Sequence, residues 1–462
     1  MKFSFFYYLV SLAFILILIN LLGTGCAQIG MPTGGQKDTI APILISASPQ
    51  LKTVNFSGNK ITLTFNEYIE VKEAQTNILV SPFPKKNPEI NYRLKTVTVK
   101  LKDTLQTNTT YSINFGKAIV DVNEGNPLGN FTYIFSTGAA IDSLQLTGTV
   151  QIAEKGKVDS TLLILLYRNA TDSTVQKTKP NYIAKPNGQG NFTFTNLPND
   201  KFKMYALKDA DGSKTYSSKA EAFAFLNDDV TPSTKPDSVL LNAFVQEKEK
   251  EKITVIKNIE KRLRYTLTQG PVQDLLTPLT IEFNKPLKKA ILNKIQLVDT
   301  SYNSIKEISI SLDSTSKKIS ISNQWKENQL FKLIIDKDAF ADSADLVLAK
   351  SDTLKITTKS ISDYGNIVLR FKNVDLTKNT VVQFVQNDEV KKSFKITSTE
   401  WSDKLFIPGE YELRILFDSN NNGKWDTGNY WKKLQPEKVV ARKQTLQIRA
   451  NWDNELRIDL KD

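Results

Sequence analysis

Ile61-Thr62-Leu63-Thr64-Phe65-Asn66-Glu67-Tyr68-Ile69 recurs later in the chain as Leu279-Thr280-Ile281-Glu282-Phe283-Asn284-Lys285-Pro286-Leu287. In both stretches apolar and polar residues alternate up to Phe-Asn, and the chain then turns. A period of two sends one set of side chains to a core and the other to water, the pattern of a half-buried strand. The likeness extends outward. Residues 110–115 match 330–335, and each segment is followed by a polar, acidic loop, 121–128 in the first copy and 341–346 in the second. Residues 133–137 match 354–358. Matched segments at near-constant separation mark duplicated units, named here A1 (about 41–138) and A2 (about 250–360).

The intervening segments match each other as well. Asn196-Leu197-Pro198 precedes Phe202 and Asp209 as Phe406-Ile407-Pro408 precedes Tyr411 and Asp418. These are B1 (about 139–246) and B2 (about 361–462), and the charge-alternating stretch 246–252 reads as a solvated linker between the halves. Within the units the two-residue period continues at Val97, Val99 and Leu101, and at Tyr111, Ile113 and Phe115. Tyr411, Leu413, Ile415 and Phe417 alternate with Glu412 and Arg414, which are expected to face water. Residues 161–167 are largely apolar, as in a strand covered on both sides. With 24 Phe, 15 Tyr and frequent Thr, Val and Ile, composition also favours strands. Short strands separated by Pro, Gly and Asn turns predict an all-β chain of tandem antiparallel β-sandwiches. If each unit touches only its neighbours in sequence, the array is extended.

Ahead of these units, Lys2 precedes an apolar run over residues 3–22, and Gly23-Thr24-Gly25 leads into Cys26. That is the layout of a secretory signal. A cysteine directly after such a run resembles the lipobox of bacterial lipoproteins, although Leu22 lies one place further from the cysteine than usual. The resemblance implies a signal peptide over 1–25, lipid on Cys26 and a linker over 26–40. The competing reading is an uncleaved anchor, since about 20 apolar residues can span a bilayer. Two or three acyl chains hold a protein stably on a membrane, whereas one does not. Cys26 is the only cysteine, so no disulfide forms within the chain.

There is no histidine. This excludes Ser-His-Asp and Cys-His catalysis, histidine zinc sites and imidazole acid–base chemistry. A carboxylate-pair hydrolase stays open in principle. The Ser-x-x-Lys spacings at Ser57/Lys60 and Ser314/Lys317 fall in turn-like stretches without partner motifs. The chain reads as a non-enzyme. Its net charge of +12 comes mostly from scattered lysines. No basic run is interleaved with aromatic residues, so nucleic acid is not an expected partner.

Residues 38–49, 61–70, Asn123-Glu124-Gly125-Asn126-Pro127-Leu128 and 133–138 together resemble the bacterial Ig-like domain of S-layer-protein type. With residues 26–38 and 418–430 they are similar to Bacteroidota lipoproteins that carry that domain. The B units, through residues 190–198, resemble prealbumin-like sandwiches. The family implies an envelope role and supplies no catalytic residues. Ala27 after the cysteine implies outer-membrane delivery, and the lack of acidic residues over 27–35 slightly favours the periplasmic face. Expected partners are the membrane through lipidated Cys26 and an envelope protein or glycan.

Asp418, Asn420, Asn422, Gly423 and Asp426 have the spacing of a calcium loop, with the Lys424 carbonyl at the seventh position. The twelfth position is Asn429 rather than a bidentate glutamate, so any calcium is weakly bound. The alternative is a polar hairpin loop of Asn and Gly. The matching B1 loop, Asp209-Ala210-Asp211-Gly212-Ser213, has Ser217 at the ninth position and is weaker still. No other cofactor is expected. Asp-Ser and Asp-Thr pairs at Thr39, Thr104, Ser143, Ser238 and Thr353 resemble the O-glycosylation acceptor of Bacteroidota envelope proteins, and are also ordinary turn pairs. Trp325, Trp401, Trp425, Trp431 and Trp452 would serve a glycan-binding surface if they cluster, or a core if they pack.

Overall fold

The computed structural model describes residues 7–8, 10–16, 37–247 and 262–460. Cys26 and positions 248–252 of the charged stretch lie outside the described residues. Residues 7–8 and 10–16 are helical, and among the described residues no helix is long and apolar enough to cross a membrane. From Leu44 onward the chain is almost entirely strand and turn. Its contacts divide it into two units, residues 1–80 with 84–141, and residues 81–83 with 142–462.

A1 lies in the first unit. Its strands are β1 (Leu44–Ser48), β2 (Lys60–Phe65), β3 (Ile69–Val71), β4 (Leu79–Ser81) and β5 (Glu89–Arg93). They continue with β6 (Thr96–Lys100), β7 (Thr110–Asn114), β8 (Ile119–Asp121) and β9 (Thr132–Ser136). Sheets β1-β2-β6-β5 and β4-β7-β9, with the pair β3-β8, enclose one core. The alternation behaves as the two-residue period requires: Ile61, Leu63, Phe65, Val97, Val99 and Ile113 are all buried. Each such side chain contributes roughly 1.5–3 kcal/mol by leaving water. The Phe-Asn motif also has a physical reason. The Asn66 side-chain oxygen accepts from the Ile43 N–H at 2.7 Å, while the Asn66 N–H donates to the Ile43 carbonyl at 3.0 Å. The asparagine closes the open end of the β1–β2 pair.

In the second unit, B1 comprises β10 (Leu144–Ile152), β11 (Leu163–Arg168), β12 (Tyr182–Ala184), β13 (Asn191–Leu197), β14 (Phe202–Leu207), β15 (Phe223–Phe225) and β16 (Ser238–Ala243). A2 begins with β17 (Tyr265–Leu267), β18 (Val272–Gln273), β19 (Leu279–Phe283), β20 (Leu287–Ala290) and β21 (Ile295–Val298). It ends with β22 (Ser309–Leu312), β23 (Lys318–Ser322), β24 (Leu330–Ile335), β25 (Phe340–Asp342) and β26 (Asp352–Thr358). B2 comprises β27 (Gly365–Lys372), β28 (Thr380–Gln386), β29 (Glu389–Lys395), β30 (Glu400–Phe406), β31 (Gly409–Phe417), β32 (Val439–Ile448) and β33 (Asp453–Asp459).

The duplication read from sequence is present in the pairing. The A2 sheets β17-β19-β23-β22 and β21-β24-β26-β18, with the pair β20-β25, repeat the A1 order, with β18 added at one edge. Asn284 repeats the closure of Asn66, accepting from the Arg264 N–H at 2.9 Å and donating to its carbonyl at 3.1 Å. B1 has sheets β13-β10-β16 and β12-β11-β14-β15, and B2 has β30-β27-β33 and β29-β28-β31-β32 in the same order. The antiparallel pattern has three exceptions among the described strands: β10 pairs with β16, β27 with β33, and the short β18 with β26, all in parallel.

β11 has buried residues on both faces, as its apolar run requires. On that second face Tyr167 meets Tyr205 and the Thr178 carbonyl within B1, and B2 covers the neighbouring strands β14 and β15. The excursion 427–436, between β31 and β32, lays Tyr430 onto Tyr205, Tyr216, Phe223 and Phe225. The Tyr430 hydroxyl donates to the Asp172 carbonyl at 2.8 Å and therefore accepts from the Tyr205 hydroxyl at 2.9 Å. Thr427 Oγ1 donates to the Val245 carbonyl at 2.7 Å. A side chain at Gly428 would meet the Phe244 ring at 2.7 Å.

This contact changes two expectations. B1 and B2 touch directly although A2 lies between them in sequence, so the units do not contact only their sequence neighbours. Arg414, expected in water, is buried. Its guanidinium donates to Glu412 at 2.8 Å and to Asp388 at 2.9 Å, and Lys155 of B1 reaches Asp388 at 2.9 Å. Gly156 of the same B1 turn has a φ of 60°, and a Cβ there would lie 2.7 Å from the Val439 carbonyl of B2. The turn seals the face that carries Arg414.

Candidate functional site

Two equivalent polar loops follow β14 and β31. The Lys208 N–H donates to the Ala222 carbonyl at 2.8 Å, and the Phe417 N–H to the Lys438 carbonyl at 3.0 Å. These bonds place Glu221 and Glu437 at matching positions at the loop ends.

In the B2 loop, Asp418 is buried and turns its carboxylate onto the chain: Oδ1 accepts from the Asn422 N–H at 3.2 Å and Oδ2 from the Gly423 N–H at 2.7 Å. Asn420 and Asn422 donate their side-chain amides to Asp426 Oδ2 at 2.7 and 2.6 Å. Asp418, Asn420, Asn422 and Asp426 thus share one loop. Binding a hard cation there requires both amides to turn their oxygens inward. Asn429, twelfth by spacing, is carried off in the excursion, where its N–H donates to the Leu434 carbonyl at 2.8 Å. Glu437 returns in its place. Its Oε1 accepts from the Ser419 N–H and hydroxyl at 2.7 Å each, and its Oε2 accepts from the Asp426 N–H at 3.1 Å. Spacing could not reveal Glu437 because the excursion intervenes; alignment with Glu221 of B1 would have done so.

The B1 loop, the poorer candidate by sequence, gathers its acids more closely. Among the described residues, Asp209, Asp211 and Glu221 form the one group of three carboxylates whose oxygens lie within 4.8 Å of one another. Glu221 Oε2 accepts from the Ser217 and Ser218 N–H groups at 3.0 Å. Hydrogen bonds from Ser213 hold the Asp211 carboxyl at about 2. The Lys214 ammonium already sits on Asp209, so a positive charge occupies one edge of the group.

The A units carry a third polar arrangement. Asp121 of A1 accepts backbone N–H groups from Glu124, Gly125 and Asn126 at 2.6–2.9 Å. Asp342 of A2 does the same with Ala344 and Leu346, and also takes the Lys285 ammonium at 3.1 Å. A1 has Glu67 where A2 has Lys285. Burial, followed by the carboxylates of Asp121, Asp38 and Glu124, pushes the Glu67 carboxyl above its ordinary range.

The five tryptophans do not form one platform. Trp325 is buried against Phe331, Trp401 stacks on Phe394 at 3.8 Å, and Trp425 donates to the Glu437 carbonyl at 2.9 Å. Only Trp431 and Trp452 are exposed. Thr39, Thr104, Ser143, Ser238 and Thr353 are all exposed to solvent.

Residues 38–137 match the model of the bacterial Ig-like domain. No curated protein matches the chain. Among solved structures, the N-terminal part of the bacterial S-layer protein SbsC is 15% identical, with a TM-score of 0.17 over 44% of each chain. The chain therefore spans less than half of that structure. The Bacillus anthracis TIE protein is 10% identical, with a TM-score of 0.17, covering 93% of this chain and 75% of its own. Escherichia coli alpha-2-macroglobulin, over domains MG0-NIE-MG1, is 13% identical, with a TM-score of 0.20, covering 42% and 97%. Likeness at this level bears on neither ligand nor partner. What the chain carries at residues 38–137 is a bacterial Ig-like domain, followed by further β-sandwich units.

Proposed function

We propose that this chain is a non-catalytic envelope protein, held at the outer membrane by lipid on Cys26, whose tandem β-sandwiches serve a structural or binding role. The observation that carries the reading is the lone Cys26 at the end of the apolar run over residues 3–22. An all-β body with a bacterial Ig-like domain and no histidine is in keeping with it. Membership among Bacteroidota lipoproteins, the prealbumin-like nature of B1 and B2 and the unit boundaries belong to the same proposal, which takes in either face of the outer membrane. Fractionation of cells expressing Cys26→Ser tests the anchor: the precursor should stay unprocessed and unlipidated. Unchanged processing and lipid content would end the reading.

Weak calcium at the B2 loop and glycans on the five exposed Asp-Ser and Asp-Thr sites are subordinate proposals. Calorimetry at millimolar calcium and the intact mass of the native protein decide them. Glycan binding is the second reading, favoured by the exposed Trp431 and Trp452. A glycan array on which Trp431→Ala and Trp452→Ala bind like the parent chain would remove it.

A further inference from the structure

One end of A1 carries large exposed apolar side chains where the same end of A2 carries Arg264, Pro286, Ser316 and Ser343. The end is defined by the C-terminus of β2, the turn between β5 and β6, and the loop after β8. Hydrogen bonds bring its parts together. The Ile69 N–H donates to the Leu94 carbonyl at 3.0 Å, and the Val122 N–H to the Tyr68 carbonyl at 3.1 Å. Asn126 donates its side-chain amide to the Asp38 carbonyl at 3.0 Å, which brings the entering chain and Ile40 to the same end. Ile40, Ile43, Tyr68, Leu94 and Val122 are each more than half exposed.

The A2 copy serves as an internal control. Arg264 matches Ile43 because each N–H is held by the asparagine of the Phe-Asn motif. Ser316 matches Leu94 because its carbonyl accepts from Leu287 at 2.7 Å, as Leu94 accepts from Ile69. Pro286 and Ser343 occupy the places of Tyr68 and Val122 after Asn284 and Asp342. The fold therefore does not require apolar residues here. Neighbouring large apolar side chains left in water mark an interaction surface.

We infer that this end of A1 lies against the lipid surface, an inference that rests on the anchored reading of Cys26. The chain enters A1 at this end, and the stretch from Cys26 to Asp38 can span at most roughly 40 Å even fully extended. An anchored chain therefore holds this end near the bilayer. Tyr68 suits an interface, with an apolar ring and a polar tip, and the Lys95 ammonium lies 5.6 Å from its centroid. The local charge is mixed, since Asp38, Glu124 and Lys95 all act on Glu67. The attraction is apolar rather than electrostatic, so salt should not release it.

The test uses the whole lipidated chain in phosphatidylethanolamine–phosphatidylglycerol vesicles whose headgroups carry a nitroxide. A fluorophore is placed on Leu94→Cys or Val122→Cys, and for comparison on Ser316→Cys or Ser343→Cys in A2. All four lie in turns or bends, with Leu94, Val122 and Ser343 exposed and Ser316 half-buried, and Cys26 offers no free thiol once lipidated. Quenching several-fold greater at 94 and 122 than at 316 and 343, and unchanged in high salt, is expected. Equal quenching on vesicle-bound protein overturns the docking and leaves the anchor standing. Loss of the difference in high salt, or protection of 94 and 122 from both nitroxide and an aqueous quencher, also overturns it; the latter would mean that a protein covers this end. A chain that remains in the aqueous phase overturns docking and anchor together.

Discussion

Glu67 and Lys285 occupy the same place in two copies of one unit, yet only Lys285 meets its aspartate with a positive charge. Glu67→Lys should therefore stabilise A1 by about 0.5–1 kcal/mol, the value of a partly exposed pair, as read from thermal unfolding. No gain would show that Asp121 is already satisfied by its three backbone donors. Asp388 offers a pH test. The Lys155 ammonium, aided by the Arg414 guanidinium, holds its carboxyl at about 2. A folded-state value below the ordinary ~3.9 stabilises at higher pH and is lost as the pH falls through the folded value. The Tm should thus drop between about pH 4 and 2. In Asp388→Asn that drop should shrink, with Tm already lower at neutral pH.

The excursion 427–436 is the element that joins B1 to B2. Tyr430 is its anchor, buried among four aromatic rings of B1. Tyr430→Ala should cost about 3–5 kcal/mol, the range for emptying a buried aromatic site. Hydrogen exchange should quicken at Phe223, whose N–H donates to Phe244, and in β14, before it changes in A2. Uniform acceleration across the second unit would argue against a local anchor. The loop that launches the excursion shows how sequence reading fell short. Asp418 to Asp426 carried a recognisable spacing, but the acid that completes the ring of contacts, Glu437, returns only after the excursion. Spacing rules assume an unbroken loop.

At the scale of the molecule, B1 and B2 hold each other across an intervening unit. A protease site engineered within residues 248–261 should yield two fragments that still co-elute, because the B1–B2 contact does not depend on chain continuity. Separation on cleavage would mean that the contact is too weak to hold alone. In the nicked chain, Tyr430→Ala should promote release.

The alternating strands, the two duplications, and the turns after Phe-Asn at Asn66 and Asn284 were legible in the residues themselves, though not the hydrogen bonds by which the asparagines close the strand pairs. Side-chain period and short-range hydrogen bonding act within a few residues, so one chain displays them directly. The covered run in β11 was legible too, though not what covers it. Arg414 could not be read, since a polar side chain alternating with apolar ones looks the same whether water or a sister unit lies opposite. The burial of Arg414, the seating of Tyr430 and the return of Glu437 all depend on segments distant in sequence meeting in space. Local periodicity carries no record of such meetings, and only the tertiary structure decided them.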